Sequence, residues 1–201
     1  MKLRSSLLAL AAALCCLLTA PLPADASLTE RVSIASDGTE GNGLCADAYL
    51  SYDGRYVAFF SSASNLVNGD SNNSTDVFLR DRRTSITTRV SVASDGTQAD
   101  SSSGLRRGCI SATGRFVAFA SWATNLVAGD TNGVPDIVLR DRQRGETTRV
   151  SVASDGTQGI DTSWGEPSVS ADGRYVAFDS GASNLVSADT NWLEDVFLRD
   201  C

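Results

Sequence analysis

Three loops place acidic and amide side chains at close spacing: Asp70, Asn72 and Asp76 in GDSNNSTD, Asp130, Asn132 and Asp136 in GDTNGVPD, and Asp189, Asn191 and Asp195 in ADTNWLED. Oxygen donors spaced in this way suit a hard cation such as calcium, which takes roughly six to eight oxygens. An EF-hand loop needs a further oxygen at its fifth position and a glycine at its sixth. Here the fifth position is Ser74, Val134 or Leu193, so two of the three loops lose a ligand there. The competing expectation is local. Asp and Asn side chains bond their own backbone in Asx-turns, and the last Asp opens a strand by accepting from free amides. The turn reading is the leading one, with calcium as the alternative.

Other chemistry is narrowed by residue types. The chain has no histidine, which excludes Ser-His-Asp and Cys-His machinery. Lys2 is the one lysine, so the chain beyond its first residues has none for a Ser-Lys dyad or a Schiff base. No glycine-rich P-loop occurs. A carboxylate pair such as Asp161 with Glu166 is the remaining catalytic arrangement, of the kind that cleaves glycosidic bonds. Acids are abundant at turns throughout, so the leading expectation is a protein that is not an enzyme.

Residues 1–26 combine Lys2 and Arg4, an apolar run from Leu7 to Leu18, and Ala24-Asp25-Ala26. That is the pattern of a secretory signal peptide, with an apolar run too short for a membrane span of roughly 20 residues. The expected product is exported, periplasmic or extracellular, and starts near Ser27. Without Lys2, Arg4 and Asp25, the 17 basic and 24 acidic residues become 15 and 23, a net charge of −8. Nucleic acid, which requires a basic surface, is not an expected partner. The pairs Arg82-Arg83 and Arg106-Arg107 read as solvated edges. Cys45, Cys109 and Cys201 fit no zinc spacing, and their odd number leaves at least one thiol over. A disulfide such as Cys45 to Cys109 is open, with nothing in the spacing to select it.

Internal repetition dominates residues 27–201. DGRYVAF at Asp53 returns as TGRFVAF at Thr113 and DGRYVAF at Asp172; DVFLRD at Asp76 returns as DIVLRD at Asp136 and DVFLRD at Asp195. RVSIASDGT at Arg31 returns as RVSVASDGT at Arg89 and Arg149, a period of about 60 residues. Each unit reads as four strands. PSVS leads through an Asp-Gly hairpin into RYVAF, apolar on both faces and therefore central. DVFLRD is the third strand. TTRVSVAS, with its period-2 alternation, is the half-exposed fourth. No helical periodicity follows the leader, and the fold class is all-β, with about three four-stranded antiparallel blades.

These residues carry a family resemblance. PSVSADGRYVAFDS followed by DVFLRD resembles the PD40 (WD40-like) β-propeller repeat, as in the propeller domain of TolB. The likeness covers nearly all of residues 27–201; the unit differs by a longer insertion around ASNLVSADTNWLE. The resemblance implies a partial propeller or half of a six-bladed ring. It also implies an envelope or extracellular partner, though the chain has no counterpart of TolB's N-terminal α/β domain. Blades are expected at 45–98, 105–158 and 165–201, with the opening segment 31–44 supplying the fourth strand of the last. Since propellers have roughly four to eight blades, three leave open edges or call for a homodimer.

Ligand contacts are expected where the repeats diverge. The loops ADSSSGLRRG and GIDTSWGE share a rim and contribute Arg106, Arg107, Asp161, Trp164 and Glu166, while Trp122 and Trp192 each occur in one copy only. Tryptophan and arginine are enriched at binding hot spots. Packing between blades is the alternative for the tryptophans. The leading expectation is a non-enzymatic binding module for a protein or a glycan. A carbohydrate-active enzyme, the remnant propeller of a larger hydrolase and a calcium-stabilised repeat protein are the alternatives.

Overall fold

A computed structural model of the chain describes residues 28–201, apart from the side chains of residues 105–107. The leader assignment at 1–26 lies outside the described residues. The described chain is all-β and forms three antiparallel sheets. The first is β1 (Cys45–Leu50), β2 (Tyr56–Ser61), β3 (Asp76–Asp81) and β4 (Ile86–Arg89) in sequential order. The second is β5 (Ser103–Ile110), β6 (Phe116–Ser121), β7 (Asp136–Asp141) and β8 (Glu146–Arg149). The third has three strands, β9 (Ser168–Val169), β10 (Tyr175–Ser180) and β11 (Asp195–Asp200). These are the blades of a partial β-propeller. No described helix is long and apolar enough to cross a membrane.

The first and third blades start from the same hairpin chemistry, and the second has Thr113 in place of the aspartate. Ser51 Oγ donates to Asp53 Oδ1 (2.7 Å), which also accepts from the Arg55 amide at 3.0 Å, and Gly54 turns the chain at φ +69°. Ser170 and Asp172 repeat this at 2.6 and 3.1 Å. The arginine that follows then reaches across the sheet. Arg55 holds Asp81 through two bonds (3.0 and 2.7 Å), Arg115 holds Asp141 (2.9 and 2.6 Å), and Arg174 holds Asp200 (2.8 and 2.8 Å). The DGR and LRD motifs are thus two ends of one bidentate clamp between second and third strands.

Blades stack face to face. Ala58, Phe60, Val77 and Leu79 of the first meet Val117, Phe119 and Val138 of the second. Phe116, Ala118, Ala120, Ile137 and Leu139 of the second meet Val176 and Phe178 of the third. Phe59, Ala63, Leu66 and Phe78 form a separate cluster. Hairpin glycines set the spacing of the stack. A Cβ on Gly114 would lie 2.2 Å from the Tyr56 ring, and one on Gly173 would lie 2.4 Å from Phe116, so only glycine lets each turn lie flat on the preceding blade's aromatic. Arg142 closes the first junction by stacking on Tyr56 at 4.7 Å while donating to Gly114 O at 2.5 Å.

Two expectations change. The fourth strand is four residues long rather than eight, because the amides of Val90 and Ser91 both turn to Val77 O (2.7 and 3.4 Å) and the chain leaves the sheet. The rest of the motif forms a tight loop. Val92 bridges Gln98, and Asp95 Oδ1 accepts from the Thr97 amide at 2.8 Å. Segment 31–44 does not complete the third blade of its own chain. Its bonds go to the first, where Thr87 Oγ1 donates to Ile34 O (2.5 Å), the Thr87 amide to Ser36 Oγ (2.9 Å) and Arg80 to Ala35 O (3.2 Å).

Candidate functional site

The acidic loops are the first candidate, and the motif that follows each of the first two answers them. Asp76 is fully buried. Its Oδ1 accepts from Ser91 Oγ at 2.5 Å, and its Oδ2 accepts from Asn72 at 3.2 Å. Arg89 Nη1 lies 3.4 Å from Asp76 Oδ2 and 3.3 Å from Asp70 Oδ1, so one nitrogen bridges both carboxylates. Gln98 accepts from the same guanidinium at 2.5 Å. In the second blade Arg149 lies 3.1 Å from Asp136 and 3.6 Å from Asp130, and Ser151 donates to Asp136 at 2.6 Å. Burial pushes both Asp76 and Asp136 above the usual carboxylate range, against the opposing pull of serine and arginine.

A guanidinium therefore stands where the calcium alternative put an ion in the first two loops. Asn72 and Asn132 spend their amides on Ala99 O (2.9 Å) and Gly159 O (2.8 Å), and Asn72 and Asn132 each accept from the amide two residues on, as Asx-turns do. In the third loop Asn191 donates to Asp195 at 3.1 Å, and no salt bridge reaches Asp189 or Asp195 among the described residues. No described group of three or more acidic or thiol side chains is arranged to hold a metal. The partner arginines lie 13 residues beyond Asp76 and Asp136, in a motif whose sequence suggests only a strand.

The second candidate is the rim at which β5, β6 and β7 begin or end. Ser103, Ser121 and Asp136 are register partners across the second blade, and Ser163, Ser180 and Asp195 across the third. Trp122 and Trp192 lie just beyond this line on one rim, and Trp164 lies just inside it, on the segment that runs from Ser163 back toward β9. Trp122 and Trp164 meet edge to face, 6.4 Å between centroids at 79°. Trp164 also packs on the junction core that contains Ala120, so it serves packing as well. At the first junction sizes are reversed: Phe60 stands at the Ala120 register, and a Cβ on Gly104 would lie 2.0 Å from its ring.

Trp192 is 83% exposed and sits at φ +59°. Asn73 and Gly133 hold the corresponding backbone position in the other loops, at φ +52° and +67°. A bulky residue in the left-handed region is unusual and costs about 1 kcal/mol or more. Asp161 and Glu166 are exposed on the same rim. Arg106 and Arg107 lie in β5, but their side chains are outside the described set.

The opposite rim carries a hollow of about 330 Å³ between second and third blades, lined by Arg115, Phe116, Gly173, Arg174 and Cys201. Cys201 occupies the register at which Arg142 fills the first junction. The arginines of the hollow are tied to Asp141 and Asp200. Cys45, Cys109 and Cys201 are free thiols, and burial pushes Cys109 up to about 11.

No family model and no curated protein matches the chain. Among solved structures it is similar to TolB from Acinetobacter baumannii (16% identity, TM-score 0.46, covering 79% of this chain and 30% of that one). It is also similar to an oligogalacturonate lyase in complex with manganese (13%, TM-score 0.45, 82% and 37%). A third similarity is to the β-propeller domain of the Trilobed protease from Pyrococcus furiosus (12%, TM-score 0.39, 68% and 34%). The chain spans less than half the length of each.

Proposed function

We propose that the chain is an exported, non-enzymatic β-propeller module that binds a protein or a glycan of the cell envelope or the extracellular space through its tryptophan rim. The observation that carries this reading is Trp192, a large apolar side chain 83% exposed, in a left-handed position that its repeat counterparts fill with Asn73 and Gly133. Residues held in such strained backbone positions cluster at functional sites. Trp122, 38% exposed, and Trp164 add aromatic surface on the same rim, with Asp161 and Glu166 as acceptors. A glycosidase would instead require a carboxyl group raised by apolar surroundings. Both rim acids are exposed.

The test is retention of the immobilised chain's ligands from a glycan array and from a panel of purified envelope proteins. Trp192→Asn is expected to melt at the same temperature or higher and to lose the bound ligand, and Trp122→Ala to weaken it at least tenfold. Retention unaffected by both substitutions, or none from either panel, would overturn the reading.

A further inference from the structure

Each copy of the RVS(V/I)ASDGT motif that lies between two blades has two attachments. Toward the blade that follows, the motif is hooked by an arginine. Arg140 donates to Ala93 O and Arg199 to Ala153 O, each at 3.1 Å. Toward the blade before, the motif completes the third strand. The Val90 amide donates to Val77 O (2.7 Å), the Val77 amide to Ser91 Oγ (3.1 Å), and Arg89 neutralises Asp70 and Asp76. Val150, Ser151 and Arg149 do the same for Ile137, Asp130 and Asp136. The first copy, Arg31-Val32-Ser33, is hooked to its following blade by Arg80 (3.2 Å), and Arg31 pairs with Glu40.

The third blade shows the reverse. Val196 and Leu198 are 77% and 70% exposed, where Val77 and Ile137 are 0%. Beside them is a hollow of about 510 Å³ lined by Asp189, Asn191, Asp195, Val196 and Leu198. It lies at the register that Val90 with Arg89, and Val150 with Arg149, fill in the other blades. Tyr175 is 38% exposed and carries Arg174 on one side, with no described glycine turn on it. Gly54, conversely, has only Arg82 within 4 Å of the position of a Cβ.

We propose that the uncovered face of the third blade docks a second copy of this chain, head to tail, through that copy's Arg31-Val32-Ser33. The second copy's arginine lies between Asp189 and Asp195, its Ser33 donates to Asp195 and accepts from the Val196 amide, and its Val32 covers Val196. Gly54 then lies against Tyr175 as Gly114 lies against Tyr56. The occupant is identified by complementarity. Among the described residues, this chain carries both two acids that no guanidinium reaches, Asp189 and Asp195, and a motif copy, Arg31-Val32-Ser33, whose arginine, valine and serine are not engaged by the third strand of a blade. Such a contact is heterologous, and the rotation it imposes decides whether two copies close a ring or a longer series forms. The proposal is independent of the tryptophan rim, since Asn73 and Gly133 stay exposed at finished junctions.

The test is the solution mass of the chain purified after export with its leader removed, by light scattering at about 100 µM. Arg31→Glu and Val196→Glu each alter an exposed side chain, so in dilute solution, below the association range, their melting temperatures should match that of the unsubstituted chain. Each variant alone is expected to be monomeric, its association weakened at least tenfold. An equimolar mixture should associate again, because one variant keeps an intact Val196 face and the other an intact Arg31. A monomeric wild type would overturn the proposal and leave the face to another protein or to further blades. Association insensitive to both substitutions, or not restored on mixing, would also overturn it.

Discussion

The Arg115–Asp141 clamp shows how much single residues carry. Two donated bonds from Arg115 hold Asp141 down to about 2, from an ordinary value of 3.8. Asp81, held by Arg55, moves in the same direction. A carboxylate lowered in the folded state adds stability above its unfolded value, and that stability disappears as pH falls toward the folded one. Arg115→Gln is therefore expected to lower stability at neutral pH, the deficit narrowing between about pH 4 and pH 2. Urea titrations of both proteins across that range check it; a constant gap would place the cost elsewhere. Asp76 and Asp136 act with the opposite sign, since burial raises them and their ionised forms cost stability at neutral pH. The sequence makes the acids of both sets visible but not their partners. The hairpin arginine and its aspartate are 26 residues apart, and the arginine of the buried cluster belongs to a motif that reads as ordinary alternation. The Asx-turn reading of the loops could be drawn from residue type, while the cation that occupies them could not.

At the scale of elements, turn chemistry was the most legible feature and strand ends the least. Asp-Gly-Arg correctly marks the hairpins because Gly54 and Gly173, at φ +69° and +76°, require a residue without a Cβ. TTRVSVAS keeps its alternation past Arg89, where the backbone has already turned away, so pattern alone overextends the fourth strand. The same motif acts as a link between blades, a role that depends on contacts from 13 to 47 residues distant in sequence and leaves no periodic signature. Glycines separate the two kinds of constraint. Gly173→Ala introduces both a left-handed alanine and a Cβ 2.4 Å from the Phe116 ring, whereas Gly96→Ala, at φ +89°, meets nothing within 4 Å. The first is expected to destabilise by about 3 kcal/mol and the second by about 1 kcal/mol, read from denaturant midpoints. Equal losses would mean that backbone strain alone explains both, and that the fit between blades is looser than the stack implies.

Across the whole molecule, blades in a row derive their stability from their neighbours as much as from their own ladders. The third strands record this directly. β3 is buried at every residue and β7 at all but one, but β11 alternates between half-buried and exposed, although DVFLRD is the same sequence in β3 and β11. Identical residues thus differ only in what covers them, which is why a repeat count could be read from the chain but the covering of each blade could not. Amide exchange of segments 76–81 and 195–200 isolates that difference with composition held constant. In dilute solution β11 is expected to exchange at least tenfold faster than β3, equivalent to about 1.4 kcal/mol less local stability. Raising the concentration should then slow β11 and leave β3 unchanged, because docking at Val196 protects one blade and not the other. Equal protection of the two segments at low concentration would mean that the three blades open as one cooperative unit, with the exposed face of the third contributing nothing to its own unfolding.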